Sequence, residues 1–169
     1  RSARNGRRRA RRATARTRRA TATSAGVYYS TGKYEQARDM YEGLVADDED
    51  ALAAKNNLAM IYAENLSSPE NLAKARALAA DLQDSDNPAF LDTVGWVMYM
   101  NGDYEQAITY SLAAVDKVGT STLLQYHLGM AYYKSGDLEK AKTHLELATQ
   151  TPDILYPGLE EAQATLQQL

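Results

Sequence analysis

The sequence predicts an all-α protein, built as a short solenoid of antiparallel helix pairs. The main observation is an internal repeat: residues 94–107 and 128–141 share one pattern of small, aromatic and charged residues at a spacing of 34 residues. A fixed period of this length indicates one supersecondary unit stacked on copies of itself, because a single unit cannot bury its own apolar face. The composition agrees, since only four of the 169 residues are proline and Ala, Leu, Glu and Gln favour helix.

A second observation is that the net charge of −3 conceals two segments of opposite charge. Residues 1–26 contain ten arginines and no acid, whereas residues 27–169 contain 9 basic against 22 acidic residues. There is no cysteine, which excludes disulfides, thiolate metal sites and cysteine nucleophiles. No segment approaches the roughly 18 unbroken apolar residues of a membrane span.

The Arg-rich segment 1–25 has no apolar residue larger than alanine, and four interpretations of it stay open. It is a stretch foreign to the native protein, a disordered tail, a transit-peptide-like leader, or an arm that binds nucleic acid or an acidic surface. Alanine and arginine also permit a helix there. We therefore predict a separate segment 1–25 and a helical domain over 26–169.

Within that domain we predict four helix pairs and a capping helix, at about 26–51, 52–87, 88–121, 122–155 and 159–169. The first pair is incomplete at its N-terminal side. The second has a longer turn, because residues 66–69 insert about four positions. Ser68 before Pro69, and Asn87 before Pro88, are typical of a helix N-cap followed by proline at the first helical position.

Small residues predict how the paired helices approach each other. Gly95 with Ala107, and Gly129 with Ala141, stand at matching positions of the third and fourth units, where they permit close backbone contact. The turns of these two units carry Gly102-Asp103 and Gly136-Asp137, in which glycine supplies backbone freedom and aspartate can cap the next helix. In the last helix, Leu159, Ala162, Leu166 and Leu169 share one apolar face suited to covering the final repeat.

The spacing of these residues resembles the tetratricopeptide repeat pattern W-x2-L-G-x2-Y followed by A-x3-F. The best match is Leu128-Gly129-x2-Tyr132 with Ala141-x3-Leu145, and the likeness extends over about 28–150. The resemblance implies a right-handed superhelix in which the first helix of each pair lines a concave groove that takes an extended peptide or a helix. It therefore implies a non-catalytic scaffold for protein binding.

By that register, the groove-facing positions are Tyr29, Asn56, Asn57, Met60, Asp92, Thr93, Trp96, Tyr99, Tyr126, His127, Met130, Tyr133 and Lys134. Trp, Tyr and Met on one surface are typical of a recognition patch; the alternative is that several of them pack between repeats. Replacing Trp96 and Tyr133 with alanine is expected to abolish partner binding and leave the helix content intact. The acidity of residues 27–169 favours basic or neutral partners.

Two finer features bear on the family resemblance. Residues 56–59 and 87–96 look like the C-terminal repeats of bacterial envelope proteins, some of which serve exopolysaccharide export. The compartment stays open between cytoplasm and periplasm. The family's carboxylate clamp for chaperone tails is not expected, because only Asn57 matches; Ala22, Gly26, Ala89 and Thr93 occupy the other clamp positions.

No residue constellation predicts catalysis. His127 and His144 lie 17 residues apart on different helices of one unit, with no motif that places an acid or nucleophile beside either. We predict both as surface or groove histidines, and we predict no metal or cofactor. Two rival functions stay open: self-association through the incomplete first unit, and nucleic-acid or acidic-surface binding by the Arg-rich segment.

Overall fold

The computed structural model describes the backbone of residues 2–119, 121–151 and 155–169, and within them the side chains from residue 13 onward. The helices are α1 (Ser2–Ser30), α2 (Tyr34–Asp47), α3 (Leu52–Met60), α4 (Pro69–Ala80), α5 (Pro88–Met100), α6 (Tyr104–Val118), α7 (Thr122–Ser135), α8 (Leu138–Thr149) and α9 (Leu159–Leu166). A π-helical turn, Ile61–Asn65, continues α3. The described residues contain no strand, so the all-α prediction is confirmed.

Consecutive helices pack as antiparallel pairs, α1 with α2 and so on to α7 with α8, and each pair stacks on the next. We call α1, α3, α5 and α7 the first helices and their partners the second helices. The final helix, α9, packs on both α7 and α8. This order is the predicted solenoid with a terminal helix. No helix in the described part of the chain is long and apolar enough to cross a membrane.

Glycines at matching positions let α5 and α7 lie close to their partners. A Cβ at Gly95 would come within 3.0 Å of the Ser111 backbone nitrogen and 3.2 Å of the Ala107 carbonyl oxygen. At Gly129 a Cβ would come within 2.8 Å of Leu145 Cγ. The close approach is therefore as predicted, but the partner of Gly129 is Leu145, one turn beyond the expected Ala141.

Three helix starts are capped by the side chains that the sequence indicated, and a fourth, at Asp103, is not. Ser68 Oγ accepts a hydrogen bond from the Asn71 backbone N–H at 3.1 Å, and Asn87 Oδ1 accepts one from the Ala89 N–H at 3.0 Å. Asp137 caps α8 by accepting from the Lys140 N–H at 3.2 Å. Asp103 makes no such bond; its carboxylate forms an ion pair with Arg76 at 3.1 Å instead. An available guanidinium on α4 thus competes with capping.

The insertion in the second pair is absorbed partly by the π-helical turn. Leu58 and Ala75 are 17 residues apart, whereas the equivalent Val94 and Ala107 are 13 apart. The Leu66 N–H donates to the Ile61 carbonyl five residues back, at 2.8 Å. One extra residue in a helical turn shifts the register of the later residues by about one position. The loop after the turn is held by the Asn71 side chain, which donates to the Leu66 carbonyl at 2.6 Å.

The first helix crosses the boundary that the sequence placed at residue 25. α1 is continuous from Ser2 to Ser30, and Ala25 is fully buried. Arg18 pairs with Asp48 across to the end of α2, at 2.6 Å. Residues 18–25 therefore contribute contacts to the first pair, and the Arg-rich segment enters it without a break in the helix.

The terminal helix is shorter than predicted, because it ends at Leu166 rather than 169. Ala162 is fully buried and Leu159 and Leu166 are partly buried, as expected of a helix with one covered face. Glu160, Gln163 and Gln167 are exposed. The predicted fourth unit, 122–155, ends in a stretch whose residues 152–154 lie outside the described part.

Candidate functional site

Three successive turns of the first helices present equivalent residues toward one side of the stack. The first turn carries Asn56, Asp92 and Tyr126, and the second carries Met60, Trp96 and Met130. The third carries Tyr29, Tyr99 and Tyr133. Residues at i, i+4 and i+7 of a helix share one face, so these nine of the thirteen predicted groove residues lie on a common set of faces.

Three of these residues are buried, Trp96 and Met130 of the second turn and Tyr126 of the first, which revises the predicted docking surface. Trp96 is 4% exposed, Tyr126 3% and Met130 1%. The Trp96 ring stacks on Tyr99 at 4.5 Å and on His127 at 4.1 Å between centroids, and it tilts against Tyr126 at 5.5 Å. These side chains pack between repeats, the alternative that the sequence left open. They support the surface from beneath rather than form it.

His127 is also buried, in contrast to the predicted surface or groove histidine. Its Nδ1 lies 2.8 Å from an Asp92 carboxylate oxygen, and its side chain is 2% exposed. The two residues are 35 positions apart and belong to neighbouring first helices, so no local motif reveals the pair. Thr93, beside Asp92, is buried as well. A histidine held by a carboxylate and stacked on an indole is a packing element that joins the third and fourth units.

The C-terminal helix covers one end of the same face. The Tyr126 hydroxyl donates to Glu161 at 2.6 Å, and the Tyr133 hydroxyl donates to Gln168 at 3.2 Å. Thr165 donates to the Met130 sulfur at 3.7 Å. All three contacts join residues 35 apart, the same offset as Asp92 to His127. The α9 helix therefore occupies the place that a fifth first helix would take.

What stays accessible is a row of third-turn side chains with polar neighbours. Tyr29, Tyr99 and Tyr133 are each partly buried, as are Asn56 and Met60. Burial raises the pKa of Tyr29 and of Tyr99 to about 12, so both hydroxyls stay protonated at neutral pH.

The remaining two predicted residues lie at the edges of this row. Lys134 is exposed, and its ammonium group is 5.8 Å from the Tyr133 ring centroid. Asn57 donates to the Tyr41 hydroxyl at 3.0 Å, which ties it to the first pair.

Glu64 belongs to this row, although the sequence did not indicate it. The π-helical turn shifts the register, so the partly buried Glu64 stands where Tyr99 and Tyr133 stand in the regular units, while Ala63 is fully buried. Burial raises the pKa of Glu64, the repulsion from Asp92 raises it further, and the attraction of His127 opposes both. No described residue donates a hydrogen bond to its carboxylate. The π-helical turn places Glu64 in this row, and the sequence pattern does not predict such a turn.

The described residues also show how the acids and the second histidine are placed. They contain no group of three His, Asp or Glu side chains placed to hold a metal ion. The second histidine, His144, has its Nδ1 2.7 Å from the Gln125 side-chain oxygen and its ring stacked on Tyr132 at 5.4 Å. Both histidines therefore serve packing between and within units.

Stacked antiparallel helix pairs with tyrosines along one accessible face define a helical-repeat protein of the interaction-scaffold class. Three family models, each described as a tetratricopeptide repeat, match residues 23–89, 88–115 and 124–151. The chain belongs to the tetratricopeptide repeat family. Proteins of this family are in general non-catalytic scaffolds that bind other proteins.

A solved structure supports the fold. MamA AMB-1 superposes with a TM-score of 0.58 at 17% sequence identity, over 83% of this chain and 76% of that one. At this level of identity the likeness concerns architecture alone. No curated protein matches the chain in sequence.

Proposed function

We propose that the chain holds a protein partner by binding an extended peptide or a short helix along the accessible face of its first helices. The observation that carries the proposal is the row of partly exposed tyrosines Tyr29, Tyr99 and Tyr133, which come from three different first helices. Tyrosine gives large contact area with few rotatable bonds and a polar tip. Side chains of this kind anchor protein interfaces.

The buried layer beneath the row favours binding without rearrangement. Tyr99 stacks on Trp96, which is itself fixed against His127 and Tyr126. A rigid recognition side chain loses little conformational freedom when a ligand arrives, so more of the contact energy appears as affinity. Tyr133 is held in turn by its bond to Gln168.

The direct test uses peptides selected on the full chain from a random peptide display library. We expect selected peptides to lose about tenfold or more in affinity when Tyr99 and Tyr133 are both replaced by alanine, because two of the three tyrosine anchors are removed. Leu112→Ala with Leu138→Ala is the matched control, since both are exposed side chains of second helices. The proposal fails if the control pair weakens binding as much as the tyrosine pair does.

Trp96 is unsuitable as a probe of binding, which changes the experiment that the sequence suggests. Its side chain is buried, and truncating a buried Trp costs about 3–5 kcal/mol of unfolding free energy. We expect Trp96→Ala to lower the thermal midpoint by many degrees, measured by circular dichroism, so any loss of binding would report unfolding. A midpoint unchanged from the native chain would contradict this placement.

Self-association is a second candidate, favoured by one observation. Val27 on α1 is 56% exposed, and among the described residues α1 packs mainly on α2. A second copy could cover that face. Light scattering over a concentration series tests this: a rise in mass that Val27→Asp suppresses supports it, and a constant monomer mass excludes it.

Two finer expectations stay predictions. Nucleic-acid or acidic-surface binding by the Arg-rich segment predicts affinity that falls steeply with salt and disappears on deletion of residues 1–25. The likeness to bacterial envelope proteins of the exopolysaccharide-export type predicts a partner in an envelope complex. Neither is needed for peptide binding by the first-helix face.

A further inference from the structure

A single carboxylate interrupts the tyrosine row, and its surroundings indicate what kind of side chain it binds. Along the stack, the third-turn positions read Tyr29, Glu64, Tyr99 and Tyr133, which we call the third-turn row. Glu64 is partly buried and accepts no hydrogen bond from a described residue. A carboxylate withdrawn from water without a donor is unfavourable, so this position gains from a ligand that supplies one.

The groups around Glu64 are aromatic or acidic rather than basic. Tyr29 and Tyr126 both lie within electrostatic range of its carboxyl group, as does Asp92. His127 is the basic group nearby, and it is already engaged by Asp92 at 2.8 Å. Glu161, near Tyr99 and bonded to Tyr126, adds a further carboxylate to this side of the stack. The exposed Lys134 lies beyond Tyr133, at the far end of the row.

Tyrosine faces and an unpaired carboxylate together match one side-chain chemistry. A guanidinium group donates paired hydrogen bonds to a carboxylate in a planar fork and stacks on aromatic rings. An ammonium group lacks the planar fork, and an acidic side chain would be repelled. The charge of the whole body agrees, since residues 27–169 hold 22 acids against 9 basic residues. A basic partner is therefore attracted before contact as well as held after it.

Four buried side-chain atoms, in Arg18, Asn56, Asn65 and Trp96, have no hydrogen-bond partner in the described part of the chain. Two of them are the Trp96 indole N–H and the Asn56 side-chain oxygen. Both atoms are buried beneath the accessible row, so the contacts with a peptide come from the side chains of the row itself. They belong to the second and first turns of their helices, beside the third-turn row.

We propose that the third-turn row is an arginine-binding site, in which Glu64 takes the guanidinium group of an extended basic peptide between Tyr29 and Tyr99. The inference rests on the proposed peptide binding and names its specificity. The π-helical turn then has a functional consequence: it sets an acid among tyrosines, where a regular helix would place Ala63.

The test uses the full chain and two synthetic peptides that differ at one kind of residue. Both are extended, uncharged at their blocked termini and built from alanine and glycine; one carries three arginines and the other carries citrulline at the same positions. Citrulline keeps the shape and loses the charge. We expect the arginine peptide to bind at least about tenfold more tightly by titration calorimetry, as a charge-assisted contact in a partly dry site predicts.

The variant Glu64→Gln tests whether the preference for arginine depends on the Glu64 carboxylate. It should remove most of the preference for arginine over citrulline, while Glu146→Gln, which neutralises an exposed glutamate of α8, should retain it. Circular dichroism and thermal unfolding report whether each variant keeps its fold. Equal binding of both peptides by the native chain overturns the arginine site, and so does an equal effect of the two glutamate variants.

The experiments distinguish failure of the arginine site from failure of the proposed peptide-binding face. If library-selected peptides depend on Tyr99 and Tyr133 but show no preference for arginine and no sensitivity to Glu64→Gln, the groove stands and the arginine site is wrong. If selected peptides are insensitive to the two tyrosines, the proposed binding face itself is wrong.

Discussion

The third and fourth helix pairs follow the 34-residue period closely, whereas the second pair departs from it. As a result, the accessible face of the first helices carries different side chains in the regular pairs and in the second pair. In the regular pairs, uninterrupted α5 and α7 present Tyr99 and Tyr133 on the third turn. In the second pair, the π-helical turn Ile61–Asn65 presents Glu64 at the equivalent place. The π-helical turn thus changes which residue of the second pair reaches the accessible face, while the pair still packs on its neighbours.

The same comparison holds for the contact between paired helices. Gly95 and Gly129 allow α5 and α7 to approach their partners, while the second pair has Ala59 at this position, fully buried. The facing helix has the fully buried Ala79 where the regular pairs have Ser111 and Leu145, so the side chain at that position is smaller in the second pair. Close packing is therefore reached by two different distributions of small residues.

The largest change in stability should come from adding one methyl group where the two helices of a regular pair approach most closely. Gly95→Ala places a Cβ against the backbone of α6, which cannot rotate away, so we expect a loss of about 1–3 kcal/mol in unfolding free energy. The measurement is urea denaturation followed by circular dichroism. Gly43→Ala is the control, because a Cβ at Gly43 meets no heavy atom within 4 Å; it should gain about 0.5–1 kcal/mol from helix propensity. A stabilised Gly95→Ala variant would contradict the close approach.

A smaller effect should come from loosening the irregular turn of the second pair. Ser68→Ala removes the side-chain oxygen that accepts from the Asn71 N–H, and such caps contribute about 1 kcal/mol. The neighbouring Ser67 is exposed, and its hydroxyl makes no hydrogen bond within the described residues, so Ser67→Ala should leave the denaturation midpoint unchanged. Equal midpoints for the two variants would mean that the cap does not hold α4 in place.

The smallest effect should be a pH dependence that belongs to Glu64. Because the folded protein raises the pKa of this group above the usual value of 4.5, the unfolded chain loses the proton first as the pH rises. Ionised Glu64 therefore lowers the free energy of unfolding once the pH rises above the usual pKa of 4.5. The loss is complete when the pH exceeds the pKa of the folded state.

We expect Glu64→Gln to be more stable than the native chain at pH 7, with the difference shrinking as the pH falls toward 4. Thermal midpoints of both proteins between pH 4 and 8 measure this difference directly. Glu146→Gln, compared in the same way, accounts for the general effect of removing one negative charge. A difference between native and Glu64→Gln chains that does not vary with pH would show that burial does not perturb the group.

The sequence by itself determined the fold class, the number and order of the helix pairs, and most of their starts. These features depend on local chemistry: the 34-residue period, a Ser or Asn before proline, and glycine in left-handed turns such as Gly102 and Gly136, with φ of 80° and 91°. It also identified which residues share a face, because helical periodicity alone fixes that relation.

Only the tertiary structure decided which members of that face are accessible. Trp96 and His127 are covered because the next first helix lies against them, and the pairing of Asp92 with His127 spans 35 residues between two helices. Periodicity gives the direction of a side chain about its own axis, but burial depends on the distance and offset of the neighbouring helix. For the same reason the sequence did not predict the position of Glu64. The extra residue in the π-helical turn places it in the tyrosine row, and that turn is seen only in the folded chain.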